Sequence, residues 1–254
     1  MTTFAFTDTK DVATENPARQ LIMKVVEKAG SMDKLKALSD VEYRYTFINE
    51  ATQQKDISIE RYIFDGELSY AEYETHEVFI IPGKSGKVIQ KYDGDSTFIS
   101  LNDQPVYDRI NVGTASFVRR ANFYWFAMSA KLLDEGIHYE LIEDQKVDGI
   151  NYKRVKMSFD EGVGEVQDDF ILYVNPDTLL IDQFLFTVKR SPKFPTPMLM
   201  EVQYQKVEGI YLTTNRRVIA ANWDGSKKGD YLFHQLTEDV KFNNEFPAEL
   251  FTIQ

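Results

Sequence analysis

Val41-Glu-Tyr-Arg-Tyr-Thr-Phe47 alternates apolar and polar residues without a break. In an extended chain successive side chains point to opposite faces. Val41, Tyr43, Tyr45 and Phe47 therefore share one face of a strand, and Glu42, Arg44 and Thr46 share the other. The residues just before this stretch keep a different period. Leu21, Ile22, Val25, Val26 and Ala29 recur at helical spacing behind Pro17, which suits a first helical turn, and Gly30 is a natural stop. Ser31 can cap a second short helix through Leu38, with Leu35 and Leu38 facing inward. The period changes from helical to two at Val41 and then stays there. Further strands are predicted over 56–64, 67–74, 78–81, 87–92 and 97–101, with turns at Asp65-Gly66, Gly83 to Gly86 and Asp93-Gly94. This is the pattern of a meander of hairpins.

The middle of the chain differs. Residues 113–133 are rich in Ala, Phe and Met, and they predict one or two helices with Phe117, Ala121, Tyr124, Trp125 and Met128 along one stripe, closed by Gly136. Strands resume at His138, most clearly over 155–159, 170–174, 184–188, 198–205, 210–220 and 231–242. The total is about twelve strands, with no helix between most of them. That order excludes a doubly wound α/β fold. It predicts a mainly β (α+β) chain, with one large antiparallel sheet or half-open barrel around a few helices. Met1 to Thr14 read as a loose arm, and residues 15–254 as a single domain. Ser191 to Pro197, with three prolines, reads as a stiff loop. Gln145-Lys-Val-Asp-Gly-Ile150 and Gln205-Lys-Val-Glu-Gly-Ile210 echo each other. Their flanks do not repeat, so the same tight turn used twice explains them better than a duplicated half.

Composition bounds the function. A chain of 254 residues can bury its own core, and 18 Phe with 14 Tyr suit the pleated surface of a sheet. The formal charge of −11 repels phosphate, which argues against a nucleic-acid partner. It also disfavours adsorption on anionic head groups, but does not forbid a lipid tail inside a cavity. The absence of cysteine removes disulfides and thiolate chemistry. No run is long enough for a membrane span, and residues 1–20 hold no apolar stretch of signal-peptide length. As written, the sequence reads as cytoplasmic, or periplasmic if an export signal belongs in front of it.

No motif carries catalysis. The chain has three histidines, His76, His138 and His234, and none has metal-helix spacing. Glu72, Glu74 and His76 would share one strand face and could gather a cation, but a solvated face explains them better. His234, between Leu232 and Leu236, reads as a hydrogen-bonded core or edge residue. Pro82-Gly-Lys-Ser-Gly-Lys87 lacks the spacing and the following helix of a phosphate loop. The acids of Asp160-Glu-Gly-Val-Gly-Glu-Val-Gln-Asp-Asp169 do not follow a calcium-loop order, and read as a solvated hairpin tip. Neither a catalytic residue, nor a metal, nor a cofactor is expected. Asn122-Phe-Tyr-Trp-Phe-Ala-Met128 is the most aromatic patch, either a helix packed on a sheet or a wall of a greasy pocket.

From Arg120 onward the chain resembles a family of uncharacterised bacterial proteins related in fold to the lipoprotein carriers and outer-membrane lipoprotein receptors, the LolA/LolB-like fold. The likeness rests on Leu132-Leu-Asp-Glu-Gly136, Val147-Asp-Gly-Ile-Asn-Tyr152, Val155-Lys-Met-Ser-Phe-Asp-Glu-Gly162, Ile171-Leu-Tyr-Val-Asn-Pro-Asp-Thr178 and Tyr204-Gln-Lys-Val-Glu-Gly209. The helix ending in Ala29-Gly30-Ser31 fits as well. The resemblance implies a strongly curved antiparallel sheet wrapped around a few helices, with an apolar cavity on its concave side that takes acyl chains in the carriers. No acyl-binding residue of the carriers maps onto this chain, although Arg44 lies where a charged group could face a cavity.

The function expected from this is non-catalytic binding of a lipid, acyl chain or apolar metabolite, with Tyr43, Tyr45, Phe47, Phe123 and Trp125 on the cavity wall. Two alternatives stand beside it. One is a cofactor-free enzyme on the same scaffold that orients a small hydrophobic or aromatic substrate. The other is an interaction module with a filled core. A slip of one residue in strand register would turn Tyr43, Tyr45 and Phe47 to the opposite face.

Overall fold

The computed structural model describes residues 16–162, 168–190 and 193–253. The arm expected over residues 1–14 lies outside the described residues. Helix α1 (Pro17–Ala29) begins where Asn16 Oδ1 accepts the backbone N–H groups of Ala18 and Arg19, and it ends at Gly30 with φ 128°, a backbone angle suited to glycine. The Ser31 hydroxyl caps α2 (Met32–Ala37) by accepting from Lys34 N. Leu35 is buried as expected, while Leu38 only packs partly against the core.

Among the described residues thirteen strands form one antiparallel sheet. They are β1 (Asp40–Asn49), β2 (Lys55–Ile63), β3 (Leu68–His76), β4 (Val88–Tyr92), β5 (Thr97–Leu101), β6 (Gln104–Pro105), β7 (Ile137–Val147), β8 (Ile150–Phe159), β9 (Phe170–Val174), β10 (Ile181–Phe186), β11 (Met198–Val207), β12 (Ile210–Ala221) and β13 (Lys227–Phe242). Their spatial order is β6-β5-β4-β3-β2-β1-β13-β12-β11-β10-β9-β8-β7. Every neighbour is sequential except β1 and β13, so two meanders are sewn together where the last strand pairs with the first. Helix α3 (Arg109–Lys131) connects β6 to β7, the two outermost strands. At 1.5 Å per residue its 23 residues reach roughly 35 Å, enough to strap the half-barrel from edge to edge.

The two echoed segments are one device used twice. Val147 pairs with Ile150, and Val207 with Ile210. Asp148-Gly149 and Glu208-Gly209 all take positive φ, between 47° and 90°, as a two-residue hairpin turn demands. The strand expected over 78–81 does not form. Val78 N and Phe79 N donate instead to the two carboxylate oxygens of Asp56, at 2.8 and 2.9 Å. This side-chain acceptor takes the place of a neighbouring strand, and Phe79 and Ile80 bend into the concave side.

The apolar face of β1 points inward. Val41 and Tyr43 pack with Tyr62, Phe64, Phe123 and Phe126 beneath α2 and the middle of α3. A second cluster joins α1 and the end of α3 to the inner faces of β8–β12, through Ile22, Met128, Leu172 and Met200 among others. A third lies under the start of α3, around Ala115, Val88 and Ile99. The inward stripe of α3 is Ala115, Arg119, Phe123, Phe126 and Ala130. The stripe anticipated from sequence lies beside it. Met128 is buried there, and Phe117, Ala121, Tyr124 and Trp125 face a cavity.

Candidate functional site

A cavity of about 890 Å³ lies between α3 and the concave face of the sheet. That is near the upper end of the range for small-molecule sites, roughly 300–1,000 Å³. The half-barrel is therefore not a filled core. Gly113 and Ala121 give the helix little bulk where it faces the gap. Ile110, 80% exposed, lies on the cavity lining at the start of α3.

The wall is mainly aromatic. Phe47 packs between Phe79 and Phe233, at 5.0 and 5.1 Å between ring centroids, and Phe194 stands edge-on to Phe233. At the other end Trp125 stacks on Phe184 at 5.7 Å and 18° and meets Phe186 edge-on. Of the five residues expected on the wall, Tyr45, Phe47 and Trp125 line the cavity. Tyr43 and Phe123 do not. Tyr43 stacks on Phe126 at 4.9 Å and Phe123 meets Tyr62 edge-on at 5.2 Å, both inside the packed cluster behind the wall. The face assigned to Tyr43 is right, but α3 already covers β1 at that depth.

A buried ion pair absent from the sequence reading fixes the helix to the sheet. Arg119 of α3 and Glu60 of β2 both have fully buried side chains. Arg119 Nη1 bonds Glu60 Oε2, and Nη2 donates to Glu60 Oε1 at 2.8 Å. The remaining N–H groups reach Gln90 Oε1 at 2.9 Å, the Tyr73 hydroxyl at 3.0 Å and Ser69 Oγ at 3.4 Å. All five guanidinium donors thus have acceptors. Glu60 also accepts from Ser58 Oγ at 2.7 Å, the Tyr62 hydroxyl at 3.0 Å and Asn122 Nδ2 at 3.3 Å. Burial works against the Arg119 charge, but the Glu60 carboxylate outweighs it and holds the guanidinium protonated well above its usual range. The Tyr43 and Tyr62 phenols are pushed up, first by burial and then by Glu60. The sequence does carry a signal for this network. Asp56, Ser58, Glu60 and Tyr62 occupy the inward parity of β2, and Arg119 falls four residues after Ala115 and four before Phe123.

Burial raises the phenols of Tyr45, Tyr73 and Tyr124 above their ordinary value. It also raises Asp56 and Asp168, whose oxygens are already engaged, those of Asp56 by Val78 and Phe79 and Asp168 Oδ1 by Thr187 Oγ1 and Lys189 N. Both ring nitrogens of His76 meet backbone carbonyls, of Ile80 and Gly86. Glu72, Glu74 and His76 do not converge. A bulge sets Glu74 out of register, Glu72 pairs with Lys87, and Glu74 pairs with Arg44. Arg44 is thereby placed on the outer face, away from the cavity. His138 is paired with Asp160, and His234 bonds Asn215 Oδ1 at 2.8 Å. Among the described residues no group of three or more His, Asp or Glu could hold a metal ion, and no helix is long and apolar enough to cross a membrane. Residues 163–167 of the acidic run lie outside the described residues.

Residues 78–193 match the model of a family of unknown function, DUF6503. No curated protein matches the chain. Among solved structures, a DUF1329 family protein from Desulfovibrio piger is similar over 93% of this chain and 98% of its own, with a TM-score of 0.55 and 16% identity. A LolA superfamily protein from Nitrosomonas europaea is similar over 93% of this chain and 97% of its own, with a TM-score of 0.54 and 12% identity. The open antiparallel sheet, its strapping helix and these two likenesses agree, and the chain has the LolA/LolB-like fold.

Proposed function

We propose that this protein binds an apolar ligand, a lipid or an acyl chain, in the cavity under α3 without transforming it. The observation that carries this reading is an aromatic-walled space of about 890 Å³ in which burial holds the phenols of Tyr45, Tyr73 and Tyr124 protonated and Asp56 and Asp168 are already hydrogen-bonded. Tyr45, Phe47 and Trp125 are the contacts we assign to the ligand, while Tyr43 and Phe123 brace the wall from behind. Burying apolar area contributes about 25 cal/mol per Å², so a long chain can bind through contact area alone. A greasy wall separates ligands differing by one methylene only about 10–200-fold, so chain-length preference should be graded. A titration with fatty acids of several lengths against an environment-sensitive dye tests the reading. Trp125 fluorescence in a Trp223→Phe background is the second reporter, since the chain has two tryptophans. Saturable, competing binding supports the proposal, and the absence of binding by both reporters refutes it.

A further inference from the structure

The protein buries two arginines on the concave side, Arg119 and Arg216, and treats them differently. Arg119 has a counter-ion and an acceptor for every N–H. Arg216, in the middle of β12 and 3% exposed, has neither. Its Nη2 donates to Thr237 Oγ1 at 3.4 Å, and its Nε and Nη1 have no hydrogen-bond partner. Its guanidinium carbon lies 5.8 Å from the centroid of the Tyr45 ring. Among the described residues no carboxylate stands within ion-pair distance of it. Gln235, its direct cross-strand neighbour, is also buried and its Oε1 has no partner either. A turn of the Gln235 amide could satisfy one N–H of Arg216, but a neutral amide cannot balance the charge.

An unpaired buried ion costs several kcal/mol, and a guanidinium cannot shed its proton to escape that cost. Something anionic belongs beside it. The surroundings say from which side it comes. Val218 on its own strand, Gln235 on the next strand and Tyr45 over its charge all line the cavity, and Arg216 lies directly behind that wall. We infer that Arg216 and Gln235 form a headgroup site, and that the ligand of this cavity is a monoanionic, carboxylate-headed, long-chain amphiphile. This rests on the cavity being a binding site for apolar ligands. One uncompensated cation calls for one negative charge, whereas a phosphate monoester brings about −1.5 to −2 at neutral pH. The aromatic wall from Phe47 to Phe233 takes the tail. Arg216 donates charge-assisted hydrogen bonds to the carboxylate, and the Gln235 amide group can turn its N–H₂ toward the same oxygens.

The test compares hexadecanoate, hexadecan-1-ol and hexadecyltrimethylammonium as competitors of a neutral apolar dye at pH 8. Wild type, Arg216→Met and Gln235→Glu are measured side by side. Wild type should bind the carboxylate at least about 10-fold more tightly than the alcohol, a difference of about 1.4 kcal/mol, and the quaternary ammonium more weakly than either. In Arg216→Met the carboxylate-to-alcohol ratio should fall to within about 2-fold of unity. Gln235→Glu supplies an internal counter-ion, so it should abolish the preference and raise the melting temperature. It keeps the test decisive if Arg216→Met fails to fold. Equal binding of carboxylate and alcohol by wild type overturns the inference and leaves the apolar site standing. A preference that survives in both variants places headgroup recognition elsewhere and also overturns it. Failure of all three amphiphiles to displace the dye, with no Trp125 response, removes the binding proposal itself.

Discussion

Glu60→Gln is the substitution that most directly probes how this half-barrel is held together. The side chain keeps its size, but the carboxylate that pairs with Arg119 is removed from a site where both partners are fully buried. The Gln amide also turns a donor toward a place where Ser58, Tyr62, Asn122 and Arg119 already donate. Breaking a buried pair by removing one partner costs about 3–5 kcal/mol. The upper half of that range is expected here, because the stranded group is a guanidinium that cannot neutralise itself. Arg119→Met should cost less. It strands a carboxylate that keeps three donors and can take up a proton. For a chain of this size a loss of about 4 kcal/mol lowers the melting temperature by about 8–16 °C. The double variant Glu60→Leu with Arg119→Met leaves no buried charge and should be more stable than Glu60→Gln alone. Thermal and urea unfolding followed by circular dichroism read all three. If Glu60→Gln lies within 1 kcal/mol of wild type, or is milder than Arg119→Met, the electrostatic reasoning is wrong.

Trp125→Ala should cost about 2–3 kcal/mol, below the roughly 3–5 kcal/mol typical of a fully buried tryptophan, because one side of the ring faces the cavity and not packed atoms; urea denaturation checks this, and an effect under 0.5 kcal/mol would mean that the stack on Phe184 is not formed. Gly149→Ala places a methyl-bearing residue at φ 90°, with no atom within 4 Å to clash, so its cost of about 1–2 kcal/mol should be backbone strain alone; the same change at Gly209, φ 82°, should cost the same within error in the same unfolding assay. Desolvation, with Arg217 in support and Glu50 opposing, holds the His234 imidazole below its ordinary 6.5. The unfolded chain therefore takes up the proton first, so this contribution to stability is complete above about pH 6.5 and declines as pH falls through that value. His234→Gln should lose less stability than wild type between pH 7.5 and 5.5, and parallel pH profiles would count against the shift.

The fold was legible because hydrophobic period reports which face of an element is buried, and in this chain period and turn chemistry agree nearly everywhere. The failures share a cause. Period says nothing about depth along a strand, so Tyr43 and Tyr45 looked equivalent although α3 covers one and the cavity opens at the other. Residues 78–81 carry a strand-like apolar run, but the acceptor that decides their path is Asp56, more than twenty residues upstream. Arg44 is polar by parity and does face outward, where Glu74 pairs with it. The charges that matter inside were those at apolar parity, Glu60 on β2, Arg119 on α3 and Arg216 on β12. A scan for apolar faces passes over them, yet a charge at inward parity is the strongest single hint that a sequence offers of a buried network.

Glu60–Arg119 and Arg216 also divide the interior by purpose. The first pair joins α3 to β2 with every donor and acceptor matched. It sets where the helix crosses the sheet and therefore where the cavity begins. Arg216 sits three strands further around the curve, on β12, with two of its three nitrogens unmatched. If both arginines served only the fold, Arg216 would be expected to have acquired a carboxylate on β11 or β13, where a single substitution at Gln235 would supply one. Glutamine at that position keeps the cation unneutralised behind the cavity wall, a state that costs stability until an anion arrives. A residue that weakens the free protein and strengthens one ligand-bound state is what a binding site requires, because only an interaction absent from the free protein adds to affinity.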